Sequence, residues 1–177
     1  MQIGILQCDS VAPDLQPEVG DYPDMFRGLL TRVDPELDFR VYDLCARQAP
    51  ESLDECDAWL FTGSKWSVND DEPWIDEAHD LGRALHEARR PVIGICFGHQ
   101  LMARALGGRV EKAPAGWGVG VHTMRMLERR EWMQPWREEV SLLVSHQDQV
   151  TELPPGAERL ATHDFCPIDM FQIGHHI

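Results

Sequence analysis

The sequence predicts an α/β fold with a mostly parallel central sheet, helices on both of its faces, and a β-rich C-terminal half. Short apolar runs at residues 2–8, 39–44, 58–61 and 91–95 read as strands. Between them apolar residues recur at helical spacing, first Met25, Leu29, Leu30 and Val33, then Ile75, Ala78, Leu81, Leu85 and Ala88. After Gly108 the pattern changes to short strand-like pieces divided by turn residues such as Pro154-Pro155-Gly156.

The elements follow in chain order. The opening strand leads into a long loop holding Pro13, Pro17, Gly20 and Pro23. The first helical pattern and the run at 39–44 complete a β-α-β unit, and the third strand ends at Thr62-Gly63-Ser64. Pro73 fits the first turn of the second helix, where its missing N–H costs nothing. The run Pro91-Val92-Ile93-Gly94-Ile95 ends at Cys96, and Leu101, Met102, Ala105 and Leu106 continue as a helix closed by Gly107-Gly108. Cys96 therefore sits at a strand-to-helix turn. Later strands are expected around Gly118 to Met126, Ser141 to Ser145 and Phe171 to His176. In such a fold, sites form at the carboxyl ends of the parallel strands.

Composition narrows the class. A chain of 177 residues that is 43% hydrophobic buries one core, so a single domain over 1–177 is expected. Thirty acidic against 16 basic residues give a net charge of -14, leaving no basic excess to displace counterions from a nucleic acid. The acidic residues are dispersed, as on a solvated surface. No apolar segment reaches membrane-spanning length, and Met1 to Cys8 lacks a basic leader. Cys8, Cys45, Cys56, Cys96 and Cys166 form an odd set without CxxC spacing, which argues against a disulfide framework or a zinc site and fits a reducing cytoplasm. The six tryptophans, at irregular intervals, read mostly as core or loop anchors.

Gly94-x-Cys96-x-Gly98 is a cysteine form of the nucleophile elbow, in which glycines flank a nucleophile because the turn leaves no room for side chains. Placement at a helix N-terminus predicts a thiol shifted toward thiolate, and it offers the Phe97 N–H to a developing oxyanion. An ordinary buried cysteine in a β-α turn would show the same five residues, so GxCxG alone leaves both readings open.

The longer string is more specific. Gly94-Ile95-Cys96-Phe97-Gly98-His99-Gln100-Leu101, followed by Ala105-Leu106-Gly107-Gly108, resembles the signature of class I, or triad-type, glutamine amidotransferases. Thr62-Gly63-Ser64 resembles the family's oxyanion loop, and Ser145-His146-Gln147-Asp148-Gln149-Val150 with Leu153-Pro154 resembles its SHxDxV segment. Phe165-Cys166-Pro167 and Met170-Phe171-Gln172-Ile173-Gly174 resemble the stretch before the catalytic histidine, while Gly63-Ser64-Lys65 with Trp74-Ile75 resembles the stand-alone glutaminase of GMP synthases. The resemblance implies a flavodoxin-like fold and a cofactor-free, metal-free glutaminase. Cys96 would attack the side-chain amide of glutamine or a γ-glutamyl compound and release ammonia through a thioester. Gly63 and Phe97 would supply the oxyanion hole. Gln100, Ser145, His146 and Gln147 would bind the substrate's amino-acid end. The chain has no GxxxxGK[ST] element, so an ammonia-accepting synthetase would be a separate subunit.

The pattern departs from the family at one place. A His-Pro-Glu segment should supply the proton shuttle and its orienting carboxylate, and these residues contain none. The expectation is a chain shortened at its C-terminal end, and the alternative is a non-catalytic binding or redox-sensing domain on the same scaffold. A γ-glutamyl peptidase or hydrolase using Cys96 is the competing enzyme, because the acyl chemistry is shared. His175 and His176 read as loop histidines in preference to a substitute base or a metal pair. The spacing of His146 and Asp148 suggests a dyad, which the resemblance turns into pocket structure, and His99 is given a structural role.

Overall fold

The computed structural model describes residues 1–177. In chain order the elements are β1 (Gln2–Gln7), α1 (Gln16–Val19), α2 (Tyr22–Leu30), β2 (Asp38–Asp43), β3 (Ala58–Phe61), α3 (Pro73–Glu87), β4 (Val92–Gly94), α4 (Phe97–Ala105), β5 (Arg109–Lys112), β6 (Gly118–Met126), β7 (Glu139–His146), β8 (Asp148–Glu152), β9 (Ala157–Thr162) and β10 (Met170–Ile173). Two compact units result, one of Met1–Met102 with His176–Ile177 and one of Ala103–His175.

The first unit holds a parallel sheet in the order β2-β1-β3-β4. From β1 the chain steps one way to β2 through α2, and from β3 it steps the other way to β4 through α3. Right-handed crossovers in opposite directions put the two helices on opposite faces, and the reversal opens a crevice at the carboxyl ends of β1 and β3. The register fixes what each face carries. Ile5 pairs with Val41 and Leu60, and this side, with Ile3, packs against Phe26 and Leu30 of α2. On the other side Gly4 lies beside Trp59, and a Cβ on Gly4 would come within 2.4 Å of the Trp59 ring, so that ring fills the space a side chain would need.

α2 begins earlier than its apolar pattern suggests. The Asp21 carboxylate accepts from the Tyr22 N–H at 2.8 Å, and the Asp24 carboxylate accepts from the Asp21 N–H at 3.2 Å, a reciprocal cap that starts the helix at Tyr22. The expected face shifts accordingly. Phe26 and Leu30 pack inward, Met25 and Leu29 are exposed, and Val33 lies beyond the helix at 84% exposure. In α3, Pro73 occupies the first turn as expected; Trp74, Ile75, Ala78 and Leu85 are buried, whereas Ala88 caps the helix and is exposed.

The second unit is β-rich. β10, β9, β6 and β7 form an antiparallel sheet, and β5 pairs with β8. β6 covers the predicted Gly118–Met126, whereas Gly174 to His176 form a turn beyond β10. Trp59 and Trp74 are core anchors; Trp117 and Trp132 are 63% and 60% exposed and stand outside the core. No helix is long and apolar enough to cross a membrane.

Candidate active site

Cys96 stands at the point where β4 turns into α4, with φ +53°, a left-handed conformation that costs a side-chain-bearing residue free energy and persists only where its surroundings enforce it. The flanking glycines supply that enforcement. A Cβ on Gly94 would lie 2.5 Å from the Gly98 carbonyl carbon and oxygen and 2.7 Å from the His99 nitrogen. A Cβ on Gly98 would lie 2.6 Å from the Phe61 Cβ and carbonyl oxygen. Both contacts are with backbone or with atoms next to it, so the helix start is pressed against β4 on one side and β3 on the other. The Gly98 N–H lies 3.0 Å from the Ile95 carbonyl and 3.2 Å from that of Thr62, while the Gln100 N–H donates to the Cys96 carbonyl at 3.0 Å. Trp74 stacks on Phe97, their ring centroids 5.6 Å apart.

The β3–β4 register pairs Phe61 with Gly94, so continuing it brings Gly63 alongside Cys96. A Cβ on Gly63 would sit 3.6 Å from the Cys96 Cβ. Thr62, fully buried, holds this loop: its hydroxyl accepts the Cys8 N–H at 2.9 Å and donates to the Gly63 carbonyl at 3.0 Å. The Gly63 carbonyl is thereby turned toward Thr62, and the Gly63 N–H makes no hydrogen bond within the protein. Gln100 is buried on α4.

The sequence predicts a thiol shifted toward thiolate, and the structure reverses the direction. Cys96 is solvent-accessible, but desolvation by the protein packed around the turn raises its thiol above the ordinary value, and the Phe97 N–H pointing at the sulfur only partly offsets this. No histidine hydrogen-bonds to the Cys96 sulfur. The His176 ring stacks on His86 of α3, their rings bonded at 3.1 Å, and the His176 carbonyl accepts from the Val92 N–H along the outer edge of β4.

A second set of polar groups surrounds the same sheet end. Asp9, two residues past β1, accepts from the Lys65 N–H at 2.9 Å and from Lys65 Nζ at 3.2 Å. Asp21 accepts from Gln7 Nε2 and from the Val11 and Tyr22 N–H groups, each at 2.8 Å. Burial opposes the Asp21 charge, but these bonds outweigh it and hold its carboxyl below the usual range. Sequence reasoning missed Asp9 and Tyr22. The available signal was the Asp21-x-x-Asp24 cap, which places Tyr22 at a helix start instead of in a loop.

Cys96, Gly63, Phe97 and Gln100 thus lie in the first unit, while Ser145, His146 and Gln147 lie in the second, at the β7–β8 connection. There the Gln147 carbonyl accepts from the Ala113 N–H at 2.8 Å. His146 Nδ1 is 3.0 Å from the Asp148 main-chain carbonyl, not from its carboxylate, so the two form no His–Asp dyad. No group of three or more His, Cys, Asp or Glu side chains is arranged to hold a metal ion.

This geometry agrees with what the chain is similar to. It is 33% identical over 146 residues to γ-glutamyl peptidase 3 of Arabidopsis thaliana, covering 78% of this chain and 57% of that protein. It is 39% identical over 97 residues to one subunit of the glutamine-hydrolysing GMP synthase of Archaeoglobus fulgidus, covering 55% of this chain and 52% of that one. The chain therefore spans a little over half the length of these relatives. The crystal structure of a glutamine amidotransferase from Thermotoga maritima superimposes with a TM-score of 0.81 at 19% identity, over 99% of this chain and 72% of that one, which shows the shared fold. The family model for glutamine amidotransferase class-I matches residues 33–172, a span that contains the strained cysteine turn, and the chain belongs to that family.

Proposed function

We propose that this chain cleaves the side-chain amide of a γ-glutamyl group, glutamine foremost, with Cys96 as nucleophile. The observation that carries the reading is the Cys96 turn itself: a cysteine held at φ +53° between two glycines that admit no side chain, with the Phe97 N–H at its sulfur and the unpaired Gly63 N–H alongside. Once deprotonated, the sulfur attacks the amide carbon. The carbonyl oxygen gains negative charge and accepts hydrogen bonds donated by the Phe97 and Gly63 N–H groups, the C–N bond breaks, and the nitrogen leaves with a proton as ammonia. Water then hydrolyses the glutamyl thioester to glutamate and returns the thiol. Gln100 and the Ser145-His146-Gln147 segment are assigned to the amino-acid end of the substrate. The family match runs through both compact units, which supports reading them as one catalytic domain.

A second reading replaces ammonia with a larger amine. It draws support from the longer alignment with the γ-glutamyl peptidase, 146 residues against 97 for the synthase subunit, because the thioester chemistry is indifferent to which amine departs. With ammonia as product, a synthetase is the partner that would consume it, as the likeness to part of a GMP synthase suggests.

The test is intact mass after exposure to an electrophilic glutamine analogue. One adduct mapping to Cys96, suppressed by excess glutamine, is expected. An unmodified chain, or an adduct on exposed Cys45 that glutamine does not suppress, removes Cys96 from the proposed role.

A further inference from the structure

We propose that Lys65 and Tyr22 form a leaving-group subsite beside Cys96, which accepts the carboxylate of the amino acid released from a γ-glutamyl peptide. The inference rests on the γ-glutamyl reading above and specifies the substrate class beyond it. Three parallel strands, β1, β3 and β4, end side by side, and the first residues past them bring Asp9, Gly63 to Lys65, and Cys96 to one sheet edge. Gly63 lies alongside Cys96, where an added Cβ would be 3.6 Å from the Cys96 Cβ, and Lys65 follows two residues later, fixed by two bonds to Asp9.

The two lysine bonds leave capacity to spare. The Asp9 carboxylate is nearly buried, its side chain 10% exposed, whereas the Lys65 side chain is 73% exposed. Nζ carries three donors and spends one on Asp9, so the others face solvent past the ends of β1 and β3. Tyr22 is half-buried, anchored through its own N–H to Asp21, and its hydroxyl makes no hydrogen bond within the protein. Asp21 also binds Gln7 at the end of β1, which sets the Tyr22 ring at the carboxyl end of the sheet, and burial first, then the Asp9 carboxylate, holds its phenol proton more tightly than usual. Two unspent donors, one cationic, are thus held by a backbone-anchored frame at the same carboxyl end of the sheet as the cysteine turn. Ammonia needs neither. A departing amino acid or peptide carries a carboxylate that matches them, and the exposed ammonium can take it without leaving a buried charge unpaired.

The test measures binding to the Cys96→Ala protein, so that turnover plays no part. Three ligands are titrated: glutamine, γ-glutamyl methylamide and γ-glutamylglycine. The peptide is expected to bind about fivefold more tightly than the methylamide, the strength of one solvent-exposed charge pair. Lys65→Met in the same background should bring that ratio close to one, and Tyr22→Phe, which keeps the ring and removes only the donor, should lower it. Equal binding of peptide and methylamide to Cys96→Ala, or an undiminished ratio in Lys65→Met, overturns the subsite while leaving the γ-glutamyl reading intact. Failure of all three ligands to bind overturns that reading and the subsite with it.

Discussion

Replacing Gly94 with alanine tests whether the cysteine turn is held by close packing. The new Cβ would meet the Gly98 carbonyl carbon and oxygen at 2.5 Å and the His99 nitrogen at 2.7 Å, against ordinary contacts of about 3.5–4 Å. Every obstructing atom is main chain, so no side-chain rotation relieves the overlap. The edge strand β4 must move by about 1 Å or the first turn of α4 must open, either of which disturbs the bond from the Gln100 N–H to the Cys96 carbonyl. Overpacking of this kind costs about 1–3 kcal/mol, and loss of one buried bond adds about 1 kcal/mol, for roughly 2–4 kcal/mol in all. In a chain of this size that is a fall of roughly 4–16 °C in melting temperature. Thermal unfolding followed by circular dichroism reads the stability, and the rate of Cys96 labelling by the glutamine analogue reads the geometry. Gly28→Ala is the control, because Gly28 lies exposed inside α2 with nothing within 4 Å of a new Cβ and should gain about 0.5–1 kcal/mol. A Gly94→Ala protein that melts and labels like the wild type would show that the turn has slack and that glycine is not required there.

Two further outcomes follow from groups already placed. The raised Cys96 thiol is neutral near pH 7, so its alkylation by iodoacetamide should climb about tenfold per pH unit from pH 7 to 9; a plateau below pH 8 would mean that burial does not dominate its environment. In the second unit Asp169 accepts from His163 Nδ1 at 2.7 Å, with both side chains under a tenth exposed, so Asp169→Ala should lose about 1–3 kcal/mol in denaturant unfolding, and a wild-type midpoint would show the buried imidazole finding another partner.

Much of the first unit was legible because its strands and helices differ in period. The runs at 2–8, 58–61 and 91–95 are short, apolar and bounded by turn residues, and they became β1, β3 and β4 with small changes of boundary. The second unit was harder. β5, Arg109-Val110-Glu111-Lys112, buries only Val110, and β9 buries only Leu160 and Ala161, so neither carries enough alternation to stand out from a polar loop. Pairing with a distant strand makes these segments β, and that information does not lie within the segment. The His122–His163–Asp169 chain, with its imidazoles 2.8 Å apart, was invisible for the same reason, since 41 residues separate the two histidines.

At the site, residue identity was legible and electrostatics were not. The glycines around Cys96 announced a tight turn because steric exclusion acts on nearest neighbours in the chain, and the structure supplies the obstructing atoms. The thiol's direction of shift depends on how much protein surrounds the sulfur and which charges face it, quantities set by β3, the Phe97 N–H and the loops past the strand ends. A helix N-terminus contributes about 0.3–1 kcal/mol at an exposed position, which is small against the desolvation of a thiolate packed in protein. The proposed attack by Cys96 therefore requires a base to take the thiol proton. The Gly94–Gly98 frame positions the sulfur and the Phe97 N–H beside it but does nothing to ionise the thiol. Position and activation are thus separate tasks, and the turn performs only the first. A strained turn that remains formed while its thiol stays protonated is what that separation looks like in the resting state.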